Sequence, residues 1–520
     1  MNRENRNTRI VILKGVFYTL LALATCFVPI WWATMDLPWI GGTYGPPSRF
    51  ELFGFMGATS LLIIGTMELC GRFSKKRAWQ EAVPVLIPLL VALHFLTYMT
   101  EHSQKLYDYE CYEAAAIQVL EGQNPYIQRP PYVLYGRLHP YFYPPLTAQV
   151  FAGAYRLVES APELTGWKEN LRGSRADART AIFDSVFYYY RCAQFLLVLL
   201  TYYLCYVIAR KLGVPALPAH VLVAGLMLFN NPLFRTIRWS QVNLWVLDLG
   251  LIGILMAPYS GPIAGFAIAL AGHIKLYPLV LLAVLAGARY WAAAAWTVAG
   301  FGLILFLQTG FEDWTLWEQF ITFFHGLSWE TQLAFRNNSV QSIVYNSVRL
   351  LGDMSTAEYR SVIRGVTAMF SAMVSVWFLY RFAVRERQFR TRVDHFDTEK
   401  NRATDPSARR SPAAVRLIAH GADALAFGLL VSPSAWEHHY VLAMPLVIWT
   451  IATRGRDRPW TVGIGVLLTL VVPTFDVFPL SYHRIVGMLL LLITASPRIF
   501  WPVELGPQEA TGACESAATA

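Results

Sequence analysis

Asp108 opens the stretch of this chain that is densest in reactive side chains, LYDYECYEAAAIQVLEGQNPY, residues 106–126. It stands just past an apolar run, residues 83–100, among tyrosines and three further carboxylates, Glu110, Glu113 and Glu121. A carboxylate partly shielded by aromatic rings holds its proton more tightly than one in water, which suits it to act as a general base. The same residue at the same place would also cap a helix N-terminus, and the local sequence alone favours the cap. Glu110 and Glu113 read as solvated residues on a helix face. Tyr112, Ala115 and Val119 line one side of that helix, which is expected to lie flat at a membrane surface.

Cations near the ends of apolar runs form a second set. Arg235 and Arg238 lie in NNPLFRTIRWSQVN, Lys275 in AGHIKLYP, Arg336 in FRNNSVQS, and Arg191 just inside an apolar run after YYY. Any one of them could snorkel to headgroups. Several on the face that positive residues ordinarily avoid point to an anionic lipid headgroup as ligand. His438 and His439 in SPSAWEHHY are candidate hydrogen-bonding or acid–base groups. As metal ligands they are poor candidates, because adjacent histidines on a helix diverge and no third ligand is evident. Trp436 suits interfacial anchoring or stacking on a sugar ring. The prolines of HPYFYPPL and of NPY at 124–126 read as structural punctuation at a helix start and a helix stop.

The elements that must position these residues are membrane helices. The chain has 520 residues, 55% of them hydrophobic and only 15% charged. A soluble domain averages about 25% charged residues. Continuous apolar runs of about 18 residues recur along the chain, each long enough to cross a bilayer core. Backbone in lipid must be bonded within its own segment, so continuous runs mean helices. The net charge of +9 fits Lys and Arg gathered in cytoplasmic loops, and nucleic acid is not an expected partner. The six cysteines are scattered without CxxC or metal spacing, so neither a disulfide framework nor a metal is expected.

Arg3, Arg6 and Arg9 place the N-terminus in the cytoplasm, ahead of an uncleaved first helix at 10–33 and a second at 52–70. The third, 83–100, delivers Asp108 to the outer face. Further helices are expected at 183–209, 216–232, 243–257, 261–275, 276–288, 292–309, 361–382, 417–431, 440–453, 460–475 and 485–500. The segment 146–158 is short for a span and is read as partly inserted, which keeps Asp108 and Gln241 on one face. Residues 381–416 carry about ten Lys and Arg and read as cytoplasmic.

These pieces follow an order. Asp108 and Tyr112 precede Gly122-Gln-Asn-Pro-Tyr126 and Tyr143-Pro-Pro-Leu146. Then come Pro232, Gln241-Val-Asn243, Lys275-Leu-Tyr-Pro278, Asn337-Asn-Ser-Val340 and Ser432-Pro-Ser-Ala-Trp-Glu-His-His439. The ordered set, over residues 106–440, resembles the family 87 membrane glycosyltransferases. That family includes mycobacterial polyprenol-phosphate-mannose-dependent α-1,2-mannosyltransferases. The resemblance implies an all-α polytopic bundle of the GT-C type, and the apolar runs give it about 13–15 transmembrane or re-entrant helices. It implies a plasma-membrane enzyme whose outer-face site moves a hexose, mannose in the first place, from a polyprenyl-phosphate sugar to a glycan or glycolipid hydroxyl, with inversion and without cofactor or metal.

On this resemblance Asp108 is the base, and His438 and His439 are catalytic. Lys275 takes the place of the family's lysine, and the cation pattern adds Arg238, Arg336 and Arg191 as candidates to meet the donor phosphate beside it. Tyr112, Tyr126, Tyr143, Gln241, Asn243, Asn337 and Trp436 bind substrate. The family usually has glycine before the glutamine; this chain has Ser240. The implied domains are N-terminal transmembrane helices (1–100), an outer catalytic loop (101–182), a helix bundle (183–500) with an outer loop (310–358) and a cytoplasmic loop (383–416), and a disordered tail (501–520). The competing class is a transporter or flippase for lipid-linked sugars, which would need the cations and aromatics but no base. Against it stand the lack of an evident inverted repeat and the few ionisable groups deep in the helices.

Overall fold

The computed structural model describes residues 77–103, 108–126, 141–161, 175–310, 312–326, 337–350, 356–399, 412–475 and 477–496. The two expected N-terminal helices, Arg336 and the tail lie outside the described residues. The described chain is helical, and the one extended pairing among these residues is an isolated antiparallel bridge between Asn337 and Trp436.

Helices α1 (Arg77–His102), α2 (Asp108–Leu120), α3 (Pro145–Ser160) and α4 (Arg175–Lys211) come first. They are followed by α5 (Ala216–Leu228), α6 (Asn231–Arg238), α7 (Asn243–Met256), α8 (Gly261–Ile274), α9 (Val280–Gly287) and α10 (Trp291–Thr309). Next are α11 (Thr315–Gly326), α12 (Val340–Arg349), α13 (Thr356–Glu399) and α14 (Pro412–Val431). The last are α15 (Met444–Arg454), α16 (Pro459–Val466) and α17 (His483–Thr494). Among the described residues four segments are long and apolar enough to cross a membrane: Ile182–Lys211, Trp291–Thr309, Ser361–Arg390 and Ala413–Val431. A fifth is possible if α5 and α6, bent by 57°, form one broken span. The protein is an all-α polytopic membrane bundle.

Several expected spans are broken, each for a local reason. The expected helix 216–232 stops at Leu228, because the Asn230 side chain accepts from the Leu233 N–H and Pro232 starts a new helix, α6. The expected helix 276–288 begins as a 3-10 turn, Tyr277–Leu279, before α9. Residues 437–443 are likewise a 3-10 turn ahead of α15. These breaks matter because each carries polar residues of the motifs. Between them the helices press closely. A Cβ on Gly265 would lie 2.5 Å from Trp296 Cβ, so α8 and α10 meet backbone to backbone.

Two expectations need correction. In helix α2 Glu110 and Glu113, which had read as solvated, are buried, and so are Tyr109, Tyr112, Ala115 and Ala116. The helix is seated in the bundle against α3, and its polar sequence hid that burial. The second concerns residues 383–416. Helix α13 runs through Glu399, and α14 starts at Pro412, so most of the described part of that expected loop is helical.

The charges on that helical extension explain why it holds together. Arg381 donates to both carboxylate oxygens of Asp423 at 2.9 Å, and to the Leu492 carbonyl at 2.6 Å. Arg385 reaches Asp423 at 2.9 Å and the carbonyl of Ala419 at 2.8 Å. Glu386 accepts from Arg416 at 2.5 Å and lies 2.8 Å from His420 Nε2. Asp423 therefore neutralises two buried guanidinium groups and ties α13, α14 and α17 together. Removing one partner of such a group leaves a buried charge uncompensated. Asp423→Ala is expected to destabilise the fold by about 3–5 kcal/mol. Thermal unfolding of the purified protein in detergent, beside Asp423→Glu as the charge-retaining control, measures it.

Candidate active site

The breaks in the helices collect the motif residues into one connected group. Ser240 and Gln241 form the joint between α6 and α7. Tyr143 precedes the Pro144–Pro145 start of α3, and its hydroxyl donates to Gln241 Oε1 at 2.9 Å. Asn243 is the first residue of α7. Lys275 ends α8 in an extended conformation, and its ammonium donates to Asn243 Oδ1 at 2.7 Å. It also donates to His439 Nε2 at 2.7 Å, and it sits 5.1 Å from the centroid of the Tyr143 ring. An ammonium can donate three hydrogen bonds. Two are used among the described residues.

Asp108 is half-buried at the first position of α2. Its charge lies within electrostatic reach of Lys275, Tyr112, Tyr143 and Tyr190. Tyr112 meets Tyr143 edge-on with centroids 5.0 Å apart and stacks on Phe151 at 5.3 Å. A carboxylate and an ammonium thus face one aromatic-lined group. Lys275 lies in the link after α8, where burial lowers its pKa to about 7 and the charge of Asp108 opposes that fall. His438 and His439 lie in the turn between α14 and α15. Burial and then the nearby Lys275 charge hold both well below the ordinary histidine pKa, so both rings are neutral at pH 7.

Other expected residues serve the scaffold of this group. The Tyr126 hydroxyl donates to the Tyr143 carbonyl at 3.0 Å, and the turn before it uses Gly122 at φ 67° and Asn124 Oδ1 accepting from the Tyr126 N–H. Asn337 pairs with Trp436, and its Oδ1 accepts from the Ala435 N–H at 3.0 Å. The neighbouring Asn338 N–H donates to the Ala435 carbonyl at 2.8 Å. The N-N-S-V and S-P-x-x-W-x-H-H motifs are therefore clamped together. Arg238 is buried on the last turn of α6, in electrostatic reach of Tyr98. Arg191 donates to the Met99 carbonyl near the end of α1 and lies over Phe187 of its own helix, so its described contacts are with α1 and α4 and not with Lys275.

Sequence reasoning passed over several residues that build the site. Tyr190 donates to the Ser240 carbonyl at 2.7 Å, and Gln194 to the Gln241 carbonyl at 3.1 Å. A buried glutamine in the long apolar run of α4 was a legible signal. Trp239 packs edge-on against His438 at 5.4 Å. Glu437, fully buried, pairs with Arg235 at 3.4 Å.

Residues 180–395 match the model of glycosyltransferase family 87. The match supports a family 87 membrane glycosyltransferase. The matched region holds Gln241, Asn243, Lys275 and Asn337; Asp108 lies before it, and His438 and His439 after it. Over 48 residues the chain is 46% identical to a polyprenol-phosphate-mannose-dependent alpha-(1-2)-phosphatidylinositol pentamannoside mannosyltransferase of Mycobacterium tuberculosis (strain CDC 1551 / Oshkosh). That stretch is 9% of this chain and 11% of the relative. No solved structure matches the chain.

Ser240 explains a departure from the family pattern. It has φ 52°, the left-handed region where a side chain is disfavoured and where glycine is at ease. Its Oγ lies 3.3 Å from Ser103 Oγ, a contact that offsets part of that cost. Ser240→Gly is therefore expected to change stability by less than about 1 kcal/mol. Ser240→Val, β-branched and without a hydroxyl, is expected to lose about 2 kcal/mol or more. Unfolding midpoints of the two variants beside wild type provide the check.

Proposed function

We propose that this glycosyltransferase moves a hexose, mannose in the first place, from a polyprenyl-phosphate sugar to a hydroxyl of a glycan or glycolipid at the outer face of the membrane. The observation that carries the reading is the Lys275 ammonium, fixed by Asn243 and His439, within electrostatic reach of the Asp108 carboxylate. A base and a phosphate-binding cation are the two charges that such a displacement needs. The partial likeness to a polyprenol-phosphate-mannose-dependent enzyme favours the lipid-linked donor.

In this reading the donor's phosphate meets Lys275, with Arg238 as a second cation. The acceptor hydroxyl hydrogen-bonds Asp108, which takes its proton as the oxygen forms a bond to the anomeric carbon. The bond from that carbon to the phosphate oxygen breaks, and the electron pair leaves with polyprenyl phosphate, whose charge Lys275 holds. A single displacement inverts the anomeric centre, so a β-linked donor gives an α-linked product. Tyr112 and Tyr143 supply an aromatic wall for the sugar. Tyr126, Gln241, Asn337 and Trp436 act through the backbone and hydroxyl contacts that hold that wall and the histidine turn.

Two outcomes test it. Asp108→Asn is expected to lower transfer of radiolabelled sugar by about 10²–10⁴-fold, the range for loss of a general base, while expression and unfolding midpoint stay near wild type. Equal transfer by the two proteins removes Asp108 as base. Absence of transfer from mannose, glucose and arabinose donors by wild type turns the reading toward a transporter.

The second outcome is a pH dependence. Lys275 binds phosphate as the ammonium, and its pKa in the free enzyme is about 7. Below that pH the cation is already present; above it, binding must first take up a proton. Donor KM is expected to be flat below pH 7 and to rise above it by up to about tenfold per pH unit. Lys275→Arg, which stays charged, is expected to flatten the profile. A wild-type KM independent of pH between 6 and 9 would sink the assignment of Lys275.

A further inference from the structure

The paired histidines look interchangeable in sequence, but their surroundings differ. Both ring nitrogens of His439 are taken. Its Nδ1 lies 3.1 Å from the Ser434 carbonyl, which can only accept, so Nδ1 carries the proton. Its Nε2 is then a lone pair, and it receives the Lys275 ammonium at 2.7 Å. A ring bound at both ends has no free position for a substrate oxygen. The His438 ring sits at a right angle to it, centroids 4.6 Å apart, edge-on to Trp239. Its Nδ1 is buried and makes no hydrogen bond among the described residues. The His438 backbone is pinned separately, its carbonyl accepting from Thr236 Oγ1 at 3.2 Å. The neighbouring Glu437 is paired to Arg235 on α6.

We propose that the two histidines divide the work: His439 is a positioning residue that aims Lys275 and transfers no proton, and His438 is the one that touches substrate. The inference rests on the phosphate reading given above and refines it. Asn243 and His439 occupy two of the three N–H bonds of Lys275 and fix the direction of the third. That third bond is the one left for a phosphate oxygen. Losing His439 would free the ammonium to swing, and the cost would fall on phosphate binding. It would not fall on the proton-transfer step, in which His439 has no part.

The experiment uses the full chain in detergent or nanodiscs and undecaprenyl phosphate as the probe, with sugar transfer measured in parallel. Glutamine places an amide where Nε2 of histidine lies and can still accept from Lys275; asparagine reaches only toward Ser434. His439→Gln is expected to weaken undecaprenyl phosphate binding by about threefold and His439→Asn by about tenfold or more, as for loss of a hydrogen bond to a charged group. Both are expected to raise donor KM in the same order and to leave the pH dependence of kcat where it is in wild type. His438→Gln is expected to lower kcat instead, with undecaprenyl phosphate binding little changed. Unfolding midpoints confirm that each variant is folded, and His439→Leu adds a third, apolar replacement that should behave like asparagine.

Glutamine and asparagine equally poor in kcat, with the acid limb of the profile moved, would make His439 an acid–base group and overturn the division. Wild-type affinity in all His439 variants would overturn it too. A wild type that fails to bind undecaprenyl phosphate would show the phosphate reading itself to be wrong, and this refinement would fall with it. A wild type that binds, beside variants that do not follow the predicted order, isolates the fault to the histidines.

Discussion

The site turns on one buried ammonium. Lys275 is 8% exposed, and an unpaired charge so placed would be costly. It is kept there by a neutral amide oxygen and a neutral imidazole, with a tyrosine ring nearby as a third, weaker partner. None of these neighbours cancels its charge. The Asp108 carboxylate acts on it from within electrostatic range. A cation held by dipoles is left in search of an anion, and its lowered pKa is the measure of that deficit. A phosphate entering the site would satisfy it.

Holding Lys275 in that state dictates much of the surrounding chain. The ammonium must be met by residues 243 and 439, which lie far apart in sequence and on different helices. Helix α8 must therefore end at Lys275, α7 must begin at Asn243, and the link to α15 must be a tight 3-10 turn. The bend at Asn230 and Pro232 places α6 against that turn, where Thr236, Arg235 and Trp239 hold it. Ser240 accepts a left-handed backbone so that Gln241 can face Tyr143. The broken helices are thus a requirement of the site: an unbroken span would carry its polar residues on a rod and could not turn them toward one point.

This also accounts for what could be read in advance. Helices such as α1, α7, α10 and α14 follow directly from long apolar runs, and Lys275, Asn243, Gln241, Tyr143 and His439 come together as an ordered motif set implies. What escaped was burial. Glu110 and Glu113 look solvated because a helix with several carboxylates ordinarily faces water; here α2 is covered by α3 and neighbouring aromatic rings. Arg191 looks like one more surface cation, but its partner is a backbone carbonyl on α1, a group that side-chain patterns do not reveal. The arginines of α13 read as a loop and not as helix because a count of charges along the sequence is blind to Asp423, which lies on another helix and pairs with Arg381 and Arg385.

The two charged clusters illustrate different uses of buried charge. Around Asp423, every guanidinium reaches a carboxylate or a carbonyl, and the result is a rigid joint between α13, α14 and α17. Such a saturated network has nothing to offer a ligand. Around Lys275 the partners among the described residues are a neutral amide, a neutral imidazole and an aromatic face, and the Asp108 carboxylate acts on it through its charge. An incomplete network is less favourable for the fold, yet it is pre-organised for a substrate that brings the missing negative charge. Tyr112 and Tyr143, which meet edge-on and lie within electrostatic reach of Asp108, supply the aromatic surroundings in which the two charges act.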